Sequence, residues 1–187
     1  MKTFVKDYFE DFQKITAYSE ELYAQLLQIK ELFEHTSKSG KKIIFVGNGG
    51  SAAMASHCAV DLSKNAGIRS INFNEADLIT CLSNDRGYEN WVTEALTLYA
   101  DPGDVVVLIS SSGRSQNMIN AAQYCSDNLL TLITVTGMVE DNPLKSKNTP
   151  GINLWVASRA YNLIEMAHHF WLLCVCDMII GKAEYSA

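Results

Sequence analysis

The 187-residue chain is poor in features that mark several large functional classes. It has no long run of lysine and arginine. Its 15 basic residues stand against 21 acidic ones, a net charge of −6, so its surface is unsuited to a phosphate backbone and no direct nucleic-acid partner is expected. It also lacks a C-x-x-C pair. The five cysteines, Cys58, Cys81, Cys125, Cys174 and Cys176, are odd in number and spaced unlike a zinc knuckle or a thioredoxin motif. They read as free thiols, buried or half-buried, of a reducing, cytoplasmic compartment. The opening MKTFVKDYFEDF places acids where a secretion signal carries its apolar region. No repeat, low-complexity stretch or Pro/Gly/Ser-rich linker divides the chain, which reads as a single domain over 1–187 with 1–40 as an N-terminal helical extension. One long apolar run exists, LIEMAHHFWLLCVCDMII at 163–180. Glu165, His168, His169 and Asp177 within it are costly in lipid, so it reads as a core helix and no membrane partner is expected.

What is present is a soluble, globular composition, 48% hydrophobic and 19% charged. Apolar residues from Phe4 to Phe33 recur at mostly helical spacing and predict one or two amphipathic helices ending at Ser39-Gly40. Beyond them the pattern changes to short apolar strands alternating with helical stretches: IIFV (43–46), SINF (70–73), VVVLI (105–109), LLTLITV (129–135) and INLWV (152–156). A polar turn and a short helix are expected after 73 and a polar stretch after 135. Strands that alternate with helices predict an α/β fold with a parallel sheet covered on both faces.

Ligands of such sheets bind beyond the carboxyl ends of the strands, so the segments that follow the strands carry the functional signal. IIFV runs into Gly47-Asn48-Gly49-Gly50-Ser51, a glycine-rich turn feeding a helix, which points backbone N–H groups at one spot and favours an anion. Gly47, Gly49 and Ala52 also fit the dinucleotide pattern G-x-G-x-x-A, with Glu75 where a ribose-binding acid would lie. VVVLI runs into Ser110-Ser111-Ser112-Gly113-Arg114-Ser115, four hydroxyls at a second strand-to-helix junction. That neutral, many-donor cradle suits a phosphate monoester better than a dinucleotide, and Ser115 alternatively serves as a plain helix cap.

GNGGSAAMASH, SNDRGYEN (83–90), GDVVVLISSSGRS (103–115) and a C-terminal helix carrying E-M-A-H together resemble the sugar isomerase (SIS) domain family, specifically its phosphoheptose isomerase branch. The resemblance implies a three-layer αβα sandwich around a five-stranded parallel sheet of flavodoxin-like kind, and a homotetramer with sites at subunit interfaces. It also implies sedoheptulose 7-phosphate as reference substrate, made over for bacterial surface polysaccharide. By the same resemblance Ser110, Ser112 and Ser115, with Ser111 between them, bind phosphate. Asn48, Gly49 and Ser51 contact the sugar, and Asp85 is the acid of an N-D motif. His57 is a zinc ligand, Asp61 a ligand and base in place of a glutamate, and Glu165 a ligand in place of a glutamine. Three positions depart from the pattern: Leu173 replaces the family's second catalytic histidine, Asn65 an arginine and Asn162 an aspartate.

Aldose–ketose isomerisation needs a base, an acid and polarisation of a carbonyl oxygen. His57 and Asp61, four apart, project from one helix face, and Glu165, His169 and Leu173 form a stripe on another. A rearranged zinc site of His57, Asp61, Glu165 and His169 is therefore expected, with Asp61 or Glu165 as base and His169 as acid. His168 is expected to be hydrogen-bonded and inert. The alternative is a non-catalytic phosphosugar- or protein-binding SIS tetramer like the DnaA-initiator-associating protein, whose C-terminal C-x-C-D pattern Cys174–Asp177 shares. A dinucleotide-dependent oxidoreductase leaves the serine loop without a job.

Overall fold

A computed structural model describes residues 1–148 and 151–184. Its helices are α1 (Lys2–Ile15), α2 (Glu20–Lys38), α3 (Gly50–Lys64), α4 (Ala76–Arg86), α5 (Trp91–Tyr99), α6 (Gln116–Asp127), α7 (Pro143–Lys147) and α8 (Tyr161–Ile180). Its strands are β1 (Ile43–Gly47), β2 (Ser70–Asn72), β3 (Val105–Ser110), β4 (Thr131–Gly137) and β5 (Ile152–Val156). The five strands are all parallel, in the order β2-β1-β3-β4-β5.

Alternation along each strand divides the core. Ile43, Phe45, Val105, Val107, Ile109, Ile133 and Val135 face α2, α3 and α8, whereas Ile44, Val46, Val106 and Leu108 face α5 and α6. Every residue of β1 and β3 is buried, which is why both read as unbroken apolar runs rather than alternating ones. The start of β1 is fixed to the start of β3 by charge. The Lys42 ammonium lies 2.6 Å from the fully buried Asp104 carboxylate and 2.7 Å from Asp101, while the Lys42 N–H donates to Asp104 Oδ1 at 3.0 Å. Burial pushes the Lys42 pKa down, but the two carboxylates outweigh it and hold the ammonium above its ordinary value.

Several boundaries differ from expectation. The fourth strand begins at Thr131, not Leu129, because Leu129 takes a left-handed φ of 57° and the Leu130 N–H closes the end of α6 on the Cys125 carbonyl. Two helices, α4 and α5, stand where one short helix was expected; α4 buries no residue fully and rests on the core through Leu78, Ile79 and Leu82, whereas α5 buries Trp91, Val92, Ala95 and Leu96. The long apolar run forms α8, whose Leu163, Ile164, Ala167, Trp171, Leu172 and Val175 enter the core beside α2 and α3. Its length and composition would also allow it to cross a membrane. The cysteines are free, and Cys81 is exposed rather than half-buried.

Candidate active site

The strand order reverses between β1 and β3, so these neighbours leave the sheet in opposite directions around it and a crevice opens at their carboxyl ends. Both marked loops follow these two strands, with Gly47 in register with Ile109. The topology therefore brings the glycine-rich loop and the serine loop side by side.

Ser110, the last residue of β3, and Ser111 are buried, and Ser112 and Ser115 are half-buried. The loop closes through Gly113 N–H to the Ser110 carbonyl at 3.0 Å, with Gly113 at φ 63°. A side chain at Gly113 would run into Asn142, whose own segment ties down through Leu144 N–H to the Gly113 carbonyl. Ser115 is the N-cap residue of α6 but its side chain makes no capping bond, so the hydroxyl is not committed to the helix end. Ser111 Oγ is buried with no hydrogen-bond partner. This concave, hydroxyl-rich turn at a helix start suits a phosphate monoester.

Across the crevice, Asn48 is held by a residue the sequence did not single out. Asn48 Nδ2 donates to Asn117 Oδ1 at 3.0 Å, Asn117 Nδ2 donates back to Asn48 Oδ1 at 2.9 Å, and the Tyr88 hydroxyl adds a bond to the same oxygen at 3.0 Å. Asn117, only 2% exposed, is the first-turn residue of α6 and links the two loops. Gly49 caps α3 without a side chain at φ 55°, and Ser51 is buried in the first turn behind it.

The carboxylate of Glu165 lies against Gly50, where any side chain would collide with it. The anion favoured at the first helix start is thus supplied by the protein itself, at the positive end of α3. Further along the same helix pair, His57 and His169 meet edge to face with ring centroids 4.8 Å apart, and His57 Nε2 is 3.7 Å from Asp61 Oδ2. Asp61 Oδ1 accepts from Asn65 Nδ2 at 3.1 Å. Burial, and then the neighbouring His57, push the His169 pKa below its ordinary value despite Asp61, and its Nε2 has no hydrogen-bond partner.

The four residues expected to share a metal therefore separate. Seven residues of α-helix put His57 about 10 Å beyond Gly50 along the α3 axis, so Glu165 stays at the loop end while His57, Asp61 and His169 gather further along the helix pair. Among the described residues no group of three or more His, Cys, Asp and Glu side chains has a metal-holding arrangement. Zinc does not fit the donors that one chain presents. Asp85 projects from the exposed end of α4, accepting from Asn84 at 2.9 Å, away from the serine loop's hydrogen bonds. Glu75 is exposed ahead of α4 and makes no capping bond. His168 is buried, and because a carbonyl can only accept, its Nε2–H donates to the Thr136 carbonyl at 2.9 Å.

The SIS domain family signature matches residues 7–137. A phosphoheptose isomerase of Shewanella halifaxensis is 29% identical over 182 residues, 94% of this chain and 92% of that protein. One from Aliarcobacter butzleri is 29% identical over 187 residues, 97% of each chain. Among solved structures, the phosphoheptose isomerase GmhA of Neisseria gonorrhoeae superposes with a TM-score of 0.87 at 25% identity, over 95% of this chain and 98% of that one. With the family signature spanning most of its length, the chain belongs to the SIS domain family.

Proposed function

We propose that the protein is an aldose–ketose isomerase acting on a sugar phosphate, sedoheptulose 7-phosphate or a related ketose phosphate, in the cytoplasm. The observation that carries this reading is the pairing of a hydroxyl cradle with the Glu165 carboxylate at the mouth of one crevice. The phosphate rests on Ser110, Ser111, Ser112 and Ser115, accepting their hydroxyl and backbone hydrogens. The sugar lies along Asn48, Gly49 and Ser51, its hydroxyls ordered by an amide that Asn117 and Tyr88 have already oriented. Glu165 takes the proton from the carbon beside the carbonyl and returns it to the former carbonyl carbon, while the hydroxyl proton of the first carbon passes to the old carbonyl oxygen, so that an enediol lies between ketose and aldose. Asp61, bonded through Oδ1 to Asn65 and about three turns along α3 from the glycine loop, fits that task less well. The curated relatives carrying the name phosphoheptose isomerase support the same reaction class.

His57, Asp61 and His169 belong in this reading to a contact with a second copy of the chain. His57 is half exposed, and His169 and Leu173 line a groove of about 400 Å³ with Tyr8, Phe9 and Phe170. Phe9 is 65% and Phe170 54% exposed, an apolar surface that self-association into a homotetramer would cover. Asp85, on the exposed end of α4, reaches a sugar only across such a contact.

The test is conversion of sedoheptulose 7-phosphate by the purified chain, by Glu165→Gln and by Ser112→Ala. Glu165→Gln is expected to lower kcat by at least about a hundredfold, the scale of a lost general base. Ser112→Ala should raise KM roughly tenfold or more, a lost hydrogen bond to a charged group. Turnover unchanged in Glu165→Gln would refute the role given to that carboxylate. A second reading rests on Leu173, an aliphatic residue packed against the core that can neither hold metal nor move a proton. On that reading the chain binds sugar phosphates without turnover, and a thermal shift without conversion would favour it.

A further inference from the structure

Tyr88 stands in the short turn between α4 and α5, 55% exposed, and its hydroxyl bonds to the Asn48 amide of the glycine-rich loop. The turn is held from α6. Asn120, three residues after Asn117 and so on the same face of that helix, donates through Nδ2 to the Glu89 carbonyl at 2.9 Å and to Asn90 Oδ1 at 3.1 Å. Gly87, at φ 85°, turns the chain out of α4, and the Asn90 N–H closes on its carbonyl at 3.0 Å. The Tyr88 ring leans on that of the buried Trp91, with centroids 6.4 Å apart and planes tilted by 51°. One helix, starting at the serine loop, thus grips Asn48 through Asn117 and the turn that carries Tyr88 through Asn120.

Counting hydrogens fixes which way the two amides face. The Met118 backbone N–H can only donate; it lies 3.1 Å from Asn117 Oδ1 and is shared with the Ser115 carbonyl at 3.0 Å. The opposite orientation of Asn117 would set its NH2 against that N–H, donor against donor. With Asn117 so placed, its Nδ2 gives a hydrogen to Asn48 Oδ1, and Asn48 Nδ2 gives one back to Asn117 Oδ1. An amide oxygen has no hydrogen of its own, so the Tyr88 hydroxyl, 3.0 Å from Asn48 Oδ1, is the donor in that contact. Both lone-pair positions of Asn48 Oδ1 are then filled, and of the two hydrogens on Nδ2 one is spent on Asn117. The half-buried Asn48 keeps one N–H to give and no acceptor to offer.

We infer that Tyr88 is a positioning residue for the sugar that acts through Asn48: by closing the amide oxygen it makes Asn48 a hydrogen donor only, whose partner on the ligand is a carbonyl or hydroxyl oxygen. This role rests on the placement of a sugar phosphate along Asn48 and adds the polarity of that contact. Removing the phenol hydrogen reopens one lone pair and leaves the amide to swing about its bonds to Asn117, so the ligand must order it again on binding. Among the described residues no hydrogen bond joins Tyr88 to the serine loop, so the phosphate contact does not depend on it.

Calorimetric titration of the full chain tests this as a double-mutant cycle. Wild type, Tyr88→Phe, Asn48→Ala and the double variant are each titrated with sedoheptulose 7-phosphate and, separately, with inorganic phosphate. Tyr88→Phe keeps the ring and removes only the hydroxyl. It should weaken sedoheptulose 7-phosphate binding about three- to tenfold, one neutral hydrogen bond, and leave inorganic phosphate binding unchanged. In the Asn48→Ala background the same substitution should alter affinity by less than about twofold, because the group it acts on is gone. Unchanged affinity in Tyr88→Phe overturns the role. So does a loss of equal size in both backgrounds, which means that Tyr88 touches the sugar itself or merely supports its turn. Binding is read without turnover, so a chain that binds the sugar phosphate but does not convert it refutes the isomerase and leaves the cycle to decide this role. A chain that binds no sedoheptulose 7-phosphate overturns both.

Discussion

Replacing His168 with glutamine should remove a pH dependence of stability that this one side chain creates. The imidazole is fully buried under β4 and donates through Nε2 to the Thr136 carbonyl, while its Nδ1 has no partner to receive a proton's charge. Burial lowers its pKa from the ordinary 6.5 to about 4, and the bond to Thr136 opposes that only weakly. The folded pKa lies below the unfolded one, so the folded state binds fewer protons wherever the two differ. Above pH 6.5 both states are neutral and the contribution to stability is complete. As pH falls below 6.5 the unfolded chain protonates first, and stability is lost until the folded chain follows near pH 4. The separation of about 2.5 units, 6.5 less 4, corresponds to roughly 3 kcal/mol over that window. Glutamine keeps a donor for the Thr136 carbonyl and does not titrate. Urea unfolding of both proteins at fixed concentration, followed by tryptophan fluorescence from neutral pH downward, should therefore show the wild type losing up to about 3 kcal/mol more than His168→Gln. Parallel pH profiles would refute the buried, neutral state of this histidine.

Three further substitutions probe other contacts. Lys42→Met leaves the buried Asp104 carboxylate without its ammonium, so unfolding free energy should fall by about 3–5 kcal/mol, measured by chemical denaturation. Asn117→Ala removes both amide partners of Asn48 and is expected to raise KM for the sugar phosphate more than it lowers kcat, with about 1–3 kcal/mol of stability lost; steady-state kinetics and denaturation separate the two. Gly50→Ala would ordinarily strengthen a helix by up to about 1 kcal/mol. Here the added methyl group meets the Glu165 carboxylate, so net destabilisation of about 1–3 kcal/mol and at least a tenfold loss of turnover are expected from melting and activity assays.

The strands were legible because burial on both faces writes itself as an uninterrupted apolar run, and the two ligand loops because glycine and serine cluster where such runs stop. The order of strands was not, since nothing local in 43–46 states that its neighbours are 70–72 and 105–110. Helical spacing put His57 with Asp61 and His169 with Glu165 on one face each, and the resemblance to the SIS family, not the spacing, implied that the two faces meet, as His57 and His169 do. Glu165 went elsewhere because Gly50, having no side chain, leaves a recess that only the packed helix pair reveals. Asn117 was missed for the same kind of reason: its partner lies 69 residues away, and an asparagine in a first turn is locally unremarkable.

The sheet order also constrains how the chain can be made. Lys42 and Asp104 are 62 residues apart, and β1 finds its central neighbour only when β3 has been synthesised. During translation the IIFV segment therefore emerges with a single three-residue edge strand for a partner, and stays open to wrong pairings until the chain beyond residue 110 has left the ribosome. A pause in translation before that point would prolong the exposure of IIFV, whereas one between residues 110 and 131 would leave β3, the middle strand, with one edge still unpaired.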